Sequence, residues 1–192
     1  MNIVRTEASA HGFSLIEVLV TMVILLIGLL GLVGLQGRAL SAQMESYQRS
    51  QAIVLVQDMA SRLEANRTDA ASYVTNPMSG TGNPRGTGFN SSNQLDCSGV
   101  ATRAALDLCE WHNALLGATV KEAGANVGAM VGARGCIYQT AAAVPEQYVV
   151  AVSWQGLAST TIAASSCGSG LYGTNDAVRR VVAIPITIGT IN

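Results

Sequence analysis

From Val18 to Gly37 the chain runs for twenty residues without a charge, VLVTMVILLIGLLGLVGLQG, apolar on every side. At ~1.5 Å per helical residue that length crosses a hydrocarbon core of ~30 Å. A buried core helix seldom needs an uncharged, all-round apolar surface this long, so the pattern predicts a transmembrane helix. Helical periodicity continues through SAQMESYQRSQAIVLVQDMASRLEANR, where Ile53, Val56, Met59, Ala60 and Leu63 recur at spacings of three and four and define one apolar face. A helix from Phe13 to about Asn66 would be roughly 80 Å long, half in lipid and half available to a folded head. The repeat lasts too few heptads for a coiled coil.

Between Asn76 and Gly99 the pattern breaks into Gly, Asn, Ser and Pro, which reads as a loop. From Ala101 to Leu116, Ala104, Leu108, Trp111 and Leu115 predict a short helix with Cys109 on an adjacent face and Trp111 in the core. Asp96, Asp107 and Glu110 are assigned to the start of that helix, where its dipole favours carboxylates. QYVVAVSW, Gln147 to Trp154, alternates as a strand with Tyr148, Val150, Val152 and Trp154 on one face, and Gly135 to Thr140 and Ala177 to Ile188 read likewise. Three strands after one long helix predict a small antiparallel sheet and an α+β class. Pro185 confines the last strand to an edge or a bulge. Arg179 and Arg180 are expected to be solvated charges.

Charge removes one class of function. The net charge is −1, and Lys121 is the sole lysine beside ten scattered arginines, so no basic stripe exists to hold nucleic acid. Four cysteines, Cys97, Cys109, Cys136 and Cys167, follow the apolar segment and point to disulfides in an oxidising compartment. No cysteine pair has the short spacing of a zinc site and only His11 and His112 could add imidazoles, so no metal is expected. Arg5 before the segment and Arg38 and Arg49 after it do not decide orientation, whereas the cysteines place the C-terminal part outside the cytoplasm. Of three complete pairings, proximity in sequence and coarse topology favour Cys97 with Cys109 and Cys136 with Cys167. No nucleophile elbow, phosphate loop or His-paired nucleophile is present; no catalytic site, cofactor or small-molecule substrate is predicted.

A secretory signal would have a shorter apolar run and a small-residue cleavage site, which Ala39-Leu40-Ser41 fits loosely, and would have no use for Glu17. The stretch Gly12-Phe13-Ser14-Leu15-Ile16-Glu17-Val18-Leu19-Val20 instead is similar to the type III signal of type IV prepilins and pseudopilins. The resemblance implies cleavage after Gly12 by the prepilin peptidase on the cytoplasmic side, and methylation of the new amino terminus at Phe13. Glu17 has a physical argument of its own: a carboxylate within lipid costs ~2.5–3.5 kcal/mol at mid-helix on insertion scales. After cleavage it would stand one turn from the Phe13 amine, so it could pair with its own or a neighbour's amino terminus; the family implies the latter. Snorkelling of Glu17 to the headgroups is the alternative. Gly28, Gly31, Gly34 and Gly37 each cost a helix ~1 kcal/mol relative to Ala and mark a soft segment, with no Gly-x-x-x-Gly seam.

The resemblance implies a long amino-terminal helix whose second half packs on a small antiparallel sheet. The organisation expected is a cytoplasmic leader at 1–12, a transmembrane helix at 13–37, its extracytoplasmic continuation at 38–70 and a globular head at 71–192. Asp107-Leu108-Cys109-Glu110-Trp111, Tyr148 to Trp154 and Arg179-Arg180 resemble the V-type minor pilins, the type IV pilus modification proteins. The function implied is a minor pilin of a pilus or its priming complex. Its partners would be the prepilin peptidase/methyltransferase, other major and minor pilins and the inner membrane, with the head in the periplasm and later in the pilus at the cell surface. A minor pseudopilin of type II secretion and a membrane-tethered adhesin or binding module are the alternatives.

Overall fold

The computed structural model describes residues 12–75, 82–118, 121–122, 125–126, 128 and 130–189. The expected leader, with Arg5 and His11, lies outside the described residues except for Gly12, as do positions 76–81 of the expected loop. The chain divides after Gln43 into two compact units.

Helix α1 spans Leu15–Ala65 and contributes to both units. Up to Gln43 every described residue is exposed, including Leu30 at 72% and Leu35 at 68%. Two of its hydroxyls fold back on their own helix: Thr21 Oγ1 donates to the Val18 carbonyl at 2.8 Å and Ser41 Oγ to the Gly37 carbonyl at 3.2 Å. Such bonds satisfy hydroxyls without water, which a lipid-facing helix requires. This helix is long and apolar enough to cross a membrane, with a mean hydropathy of 2.9 in its most apolar window.

In the second unit, from Met44 onwards, the spacing of apolar residues becomes selective. Ala52, Val56, Met59 and Leu63 are buried, one stripe of the helix, while Val54 stays out. This stripe shares one core with Ala104, Leu108, Trp111 and Leu115 of α2 (Arg103–Leu115) and with Tyr148, Val150, Val152 and Trp154 of β5 (Glu146–Gln155). The sheet is antiparallel in the order β1-β4-β5-β6, with β1 at Arg85–Gly86, β4 at Arg134–Ala141 and β6 at Arg179–Ile188. Val150 stands opposite Ile137 on one side and Ile184 on the other. Pro185 faces Val149 from the edge strand β6, the place where a missing N–H costs no ladder bond. A second, two-stranded ribbon joins β2 (Lys121–Glu122) and β3 (Ala125–Asn126).

Two features depart from the strand pattern. β5 is covered on both faces, because Ala151 packs with Cys136, Cys167 and Tyr138, and Ser153 Oγ meets the Tyr172 hydroxyl at 3.0 Å. The alternation in QYVVAVSW showed only one of these faces. β1 and the β2–β3 ribbon are two-residue strands, too short for any period to show in the sequence.

The helix carrying Trp111 also differs in its start. Thr102 caps it, its Oγ1 accepting from the Ala105 N–H at 3.2 Å. The carboxylates expected at this end serve elsewhere: Asp96 accepts from the Ser98 N–H in the preceding loop, and Asp107 is buried one turn further in. Trp111 is fully buried, its Nε1 donating to the Leu55 carbonyl of α1 at 2.9 Å. Its ring fills the space over Gly135, where a Cβ would come within 2.3 Å of it.

Candidate processing and assembly site

Gly12 lies just before α1, and a Cβ there would meet nothing within 4 Å. Neither packing nor a left-handed backbone therefore demands glycine at this position. Phe13 is 86% exposed, and the Glu17 N–H closes the first turn on the Ser14 carbonyl at 3.0 Å. Glu17 thus occupies the first turn of α1, where the unpaired N–H groups of the helix favour a carboxylate. It forms no ion pair among the described residues. In the uncleaved chain Phe13 bears an amide nitrogen; only scission of the Gly12–Phe13 bond would create an ammonium one turn from this carboxylate. Gly28, Gly31, Gly34 and Gly37 likewise have open space where a Cβ would stand.

The head is fastened by polar groups that the sequence pattern assigns to other roles. Asp107, fully buried, accepts from Arg62 Nη1 at 3.0 Å, from the Tyr73 hydroxyl at 2.6 Å and from Arg103 Nε at 3.2 Å. One carboxylate thereby ties α1, α2 and the 3-10 turn Arg67–Tyr73 together, its charge balanced by two guanidinium groups. Burial and then the bond to Asp107 push the Tyr73 hydroxyl up to about 12. Arg62 also reaches Asp58 and Glu110.

Arg179 and Arg180 are not solvated. The Arg179 guanidinium is buried and donates to the carbonyls of Ala163, Ser165 and Cys167 at 3.0, 2.6 and 3.0 Å, and to Asp176 at 3.2 Å. Burial acts to raise the Asp176 carboxyl, but the Gly170 N–H, Arg179 and the Tyr172 N–H prevail and hold it below its ordinary value. Arg180, on the opposite face of the strand, binds Glu45 of α1 at 2.6 Å, Thr160 Oγ1 at 2.7 Å and the Ala158 carbonyl at 2.8 Å. Two consecutive arginines thus hold the loop after β5 from both sides. A signal was present: an aspartate three residues before Arg179 is the spacing of a local ion pair. Cys136 is bonded to Cys167 in the same loop, Cα to Cα 5.8 Å, and Cys97 to Cys109, 5.9 Å.

A lipid-length apolar helix with one carboxylate in its first turn, continued into a disulfide-bonded α+β head, defines a membrane-anchored structural protein. A family model described as the prokaryotic N-terminal methylation motif matches residues 8–33, and one described as type IV pilin Tt1218 matches residues 34–108. Together these matches, over residues 8–108, support a type IV pilin with an N-terminal methylation motif, a structural and non-enzymatic class, and the α+β fold is pilin-like. The motif implies processing by the prepilin peptidase, membrane anchoring before assembly, and assembly with other pilins. No curated protein and no solved structure matches the chain in the same comparisons.

Proposed function

We propose that this pilin is a minor, V-type subunit, cleaved between Gly12 and Phe13, methylated at the Phe13 amine and inserted into the filament or its priming complex through its Phe13 to Leu35 segment. The observation that carries the assembly reading is Glu17, an ionisable group in the first turn of an otherwise charge-free, exposed apolar segment. A carboxylate entering lipid needs a counter-charge, and the neighbouring subunit's new ammonium supplies one. The minor role is supported by the Asp107-Leu108-Cys109-Glu110-Trp111 stretch and its resemblance to pilus modification proteins. The head would stand in the periplasm before assembly, where both disulfides can form.

Intact-mass measurement of the membrane-purified subunit tests the processing: a methylated chain beginning at Phe13 is expected, and cleavage after Ser41 would refute it. Quantifying the subunit in sheared filaments tests the role. A minor pilin is present far below the main subunit; equal abundance refutes the minor assignment, and exclusive association with a secretion complex favours the pseudopilin. Non-reducing peptide mapping is expected to recover Cys97 with Cys109 and Cys136 with Cys167; a Cys97 to Cys136 link would refute that pairing.

A further inference from the structure

His112 lies in the last turn of α2, wholly buried, and both ring nitrogens are engaged by the backbone of the segment that crosses it. Nδ1 accepts from the Gly86 N–H at 2.9 Å, so Nε2 carries the proton and donates it to the Asn93 carbonyl at 2.8 Å. Between these two anchors the 3-10 turn Phe89–Ser92 sets the Phe89 ring edge-on to the imidazole, centroids 5.2 Å apart. Asn113 adds a second fastening: its side chain accepts from the Leu95 N–H at 2.8 Å and donates to the Leu95 carbonyl at 2.9 Å.

We infer that His112 is an acid-sensitive latch that holds the Gly86 to Asn93 segment on the head at neutral pH and releases it when the imidazole is protonated. The chemistry is a change of donor count. Neutral His112 offers one acceptor and one donor, matching one backbone N–H and one backbone carbonyl. The imidazolium has two donors, so the Gly86 N–H and the new Nδ1–H point at each other across a bonding distance. Gly86 cannot turn aside within its own strand: its φ is +92°, and its Cα sits so close to the Ala133 carbonyl that a Cβ would come within 2.4 Å of that oxygen. The segment must therefore move to relieve the contact.

The charges around the ring add to the effect. From β1 comes Arg85, whose guanidinium stacks on Phe89 at 4.1 Å from the ring centroid and whose buried Nε has no hydrogen-bond partner among the described residues. The 3-10 turn contributes the uncharged Phe89, the following segment the Asn93 carbonyl, and α2 itself the disulfide-bonded Cys109 one turn back. Arg134 of β4 lies against Gly88 behind the turn. The charge these elements set against the ring is thus the cation of Arg85. Burial first, and the Arg85 charge as well, hold the imidazole below its ordinary value, with the Asn93 carbonyl opposing them. The latch is closed at neutral pH and opens on the acid side. It is independent of the filament role proposed above.

Amide hydrogen exchange on the full chain in detergent micelles, with rates corrected for the intrinsic pH dependence, tests the latch. Between about pH 7 and about pH 5, protection from Gly86 to Leu95 is expected to fall ~10-fold or more, while that of β5 stays constant. The His112 ring resonances should titrate with the same midpoint. His112→Asn keeps an amide that can face Gly86 and does not titrate, so its segment should lose the pH dependence. Should that variant fail to fold, Arg85→Met, which removes the facing cation, should move the midpoint upward. Wild-type protection that is unchanged through the His112 midpoint overturns the latch, as does an acid-induced loss that persists in His112→Asn or a midpoint unmoved in Arg85→Met.

Discussion

The segment up to Gln43 and the head that begins at Met44 are both rich in apolar side chains, yet they dispose of them in opposite ways. Leu30 and Ile27 are more than three-fifths exposed, whereas Val150, Met59 and Ile137 are completely buried. In the head the burial of apolar area is internal, so its stability is a folding free energy. The anchor has no core of its own; its apolar surface must be met by lipid and, after assembly, by other subunits. Substitutions in the two regions should therefore register in different measurements.

Trp111→Ala should have the largest effect and confine it to the head. It removes the ring that fills the space over Gly135 and the bond to the Leu55 carbonyl, a loss of ~3–5 kcal/mol for a buried aromatic. Denaturant unfolding followed by near-UV circular dichroism reads that loss, while protease protection of membranes should show normal insertion. Failure to insert would mean that the two regions do not behave independently.

Glu17→Ala makes the converse case. The head should unfold as in wild type and cleavage at Gly12 should proceed, but the neighbouring ammonium would be left uncompensated. A buried ammonium left unpaired costs ~3–5 kcal/mol, the lower end of which corresponds to a ~150-fold weaker association. Comparing processed subunit in membranes with subunit in sheared filaments measures it, and wild-type incorporation would reduce Glu17 to a snorkelling charge.

Acid should weaken the head in two stages. With the folded His112 held low, the unfolded chain binds a proton first, so stability present above 6.5 declines as pH falls toward the folded value. The Asp176 carboxyl is also held low; its contribution is present above 3.8 and is lost below that, as pH falls through its folded value. Denaturation midpoints measured across pH should show both declines, the first absent in His112→Asn.

The smallest expected effect is Gly31→Ala, which adds a methyl group in open space and stiffens the helix by ~1 kcal/mol. Head unfolding should not change. A change in incorporation alone would show that softness in this segment serves assembly.

The α+β class, the second helix and the three long strands were legible in the sequence because each carries several turns or alternations of a repeating apolar pattern. The core positions of Ala104, Leu108, Trp111 and Leu115 follow from spacing alone, and so does the lipid-length segment. The methylation motif was legible for a different reason: Gly12 to Val20 is a short contiguous signal that does not depend on the fold.

What only the tertiary structure decided is the fate of the polar residues. In the sequence Asp107 reads as a carboxylate at a helix start, His112 as an imidazole without a site, and Arg179 and Arg180 as solvated charges. Each is instead held by partners that the fold assembles, Arg62 with Asp107 across 45 positions, Glu45 with Arg180 across 135, and for Arg179 three carbonyls of the preceding loop. The second buried face of β5 has the same origin, since the loop that covers it returns through Cys167 and Tyr172. An apolar side chain carries its preference for burial wherever it stands, and periodicity displays it. A polar side chain is buried only where a specific donor or acceptor awaits it. That condition belongs to the folded chain, so a local pattern such as the Asp176–Arg179 spacing announces one partner at most and not the burial.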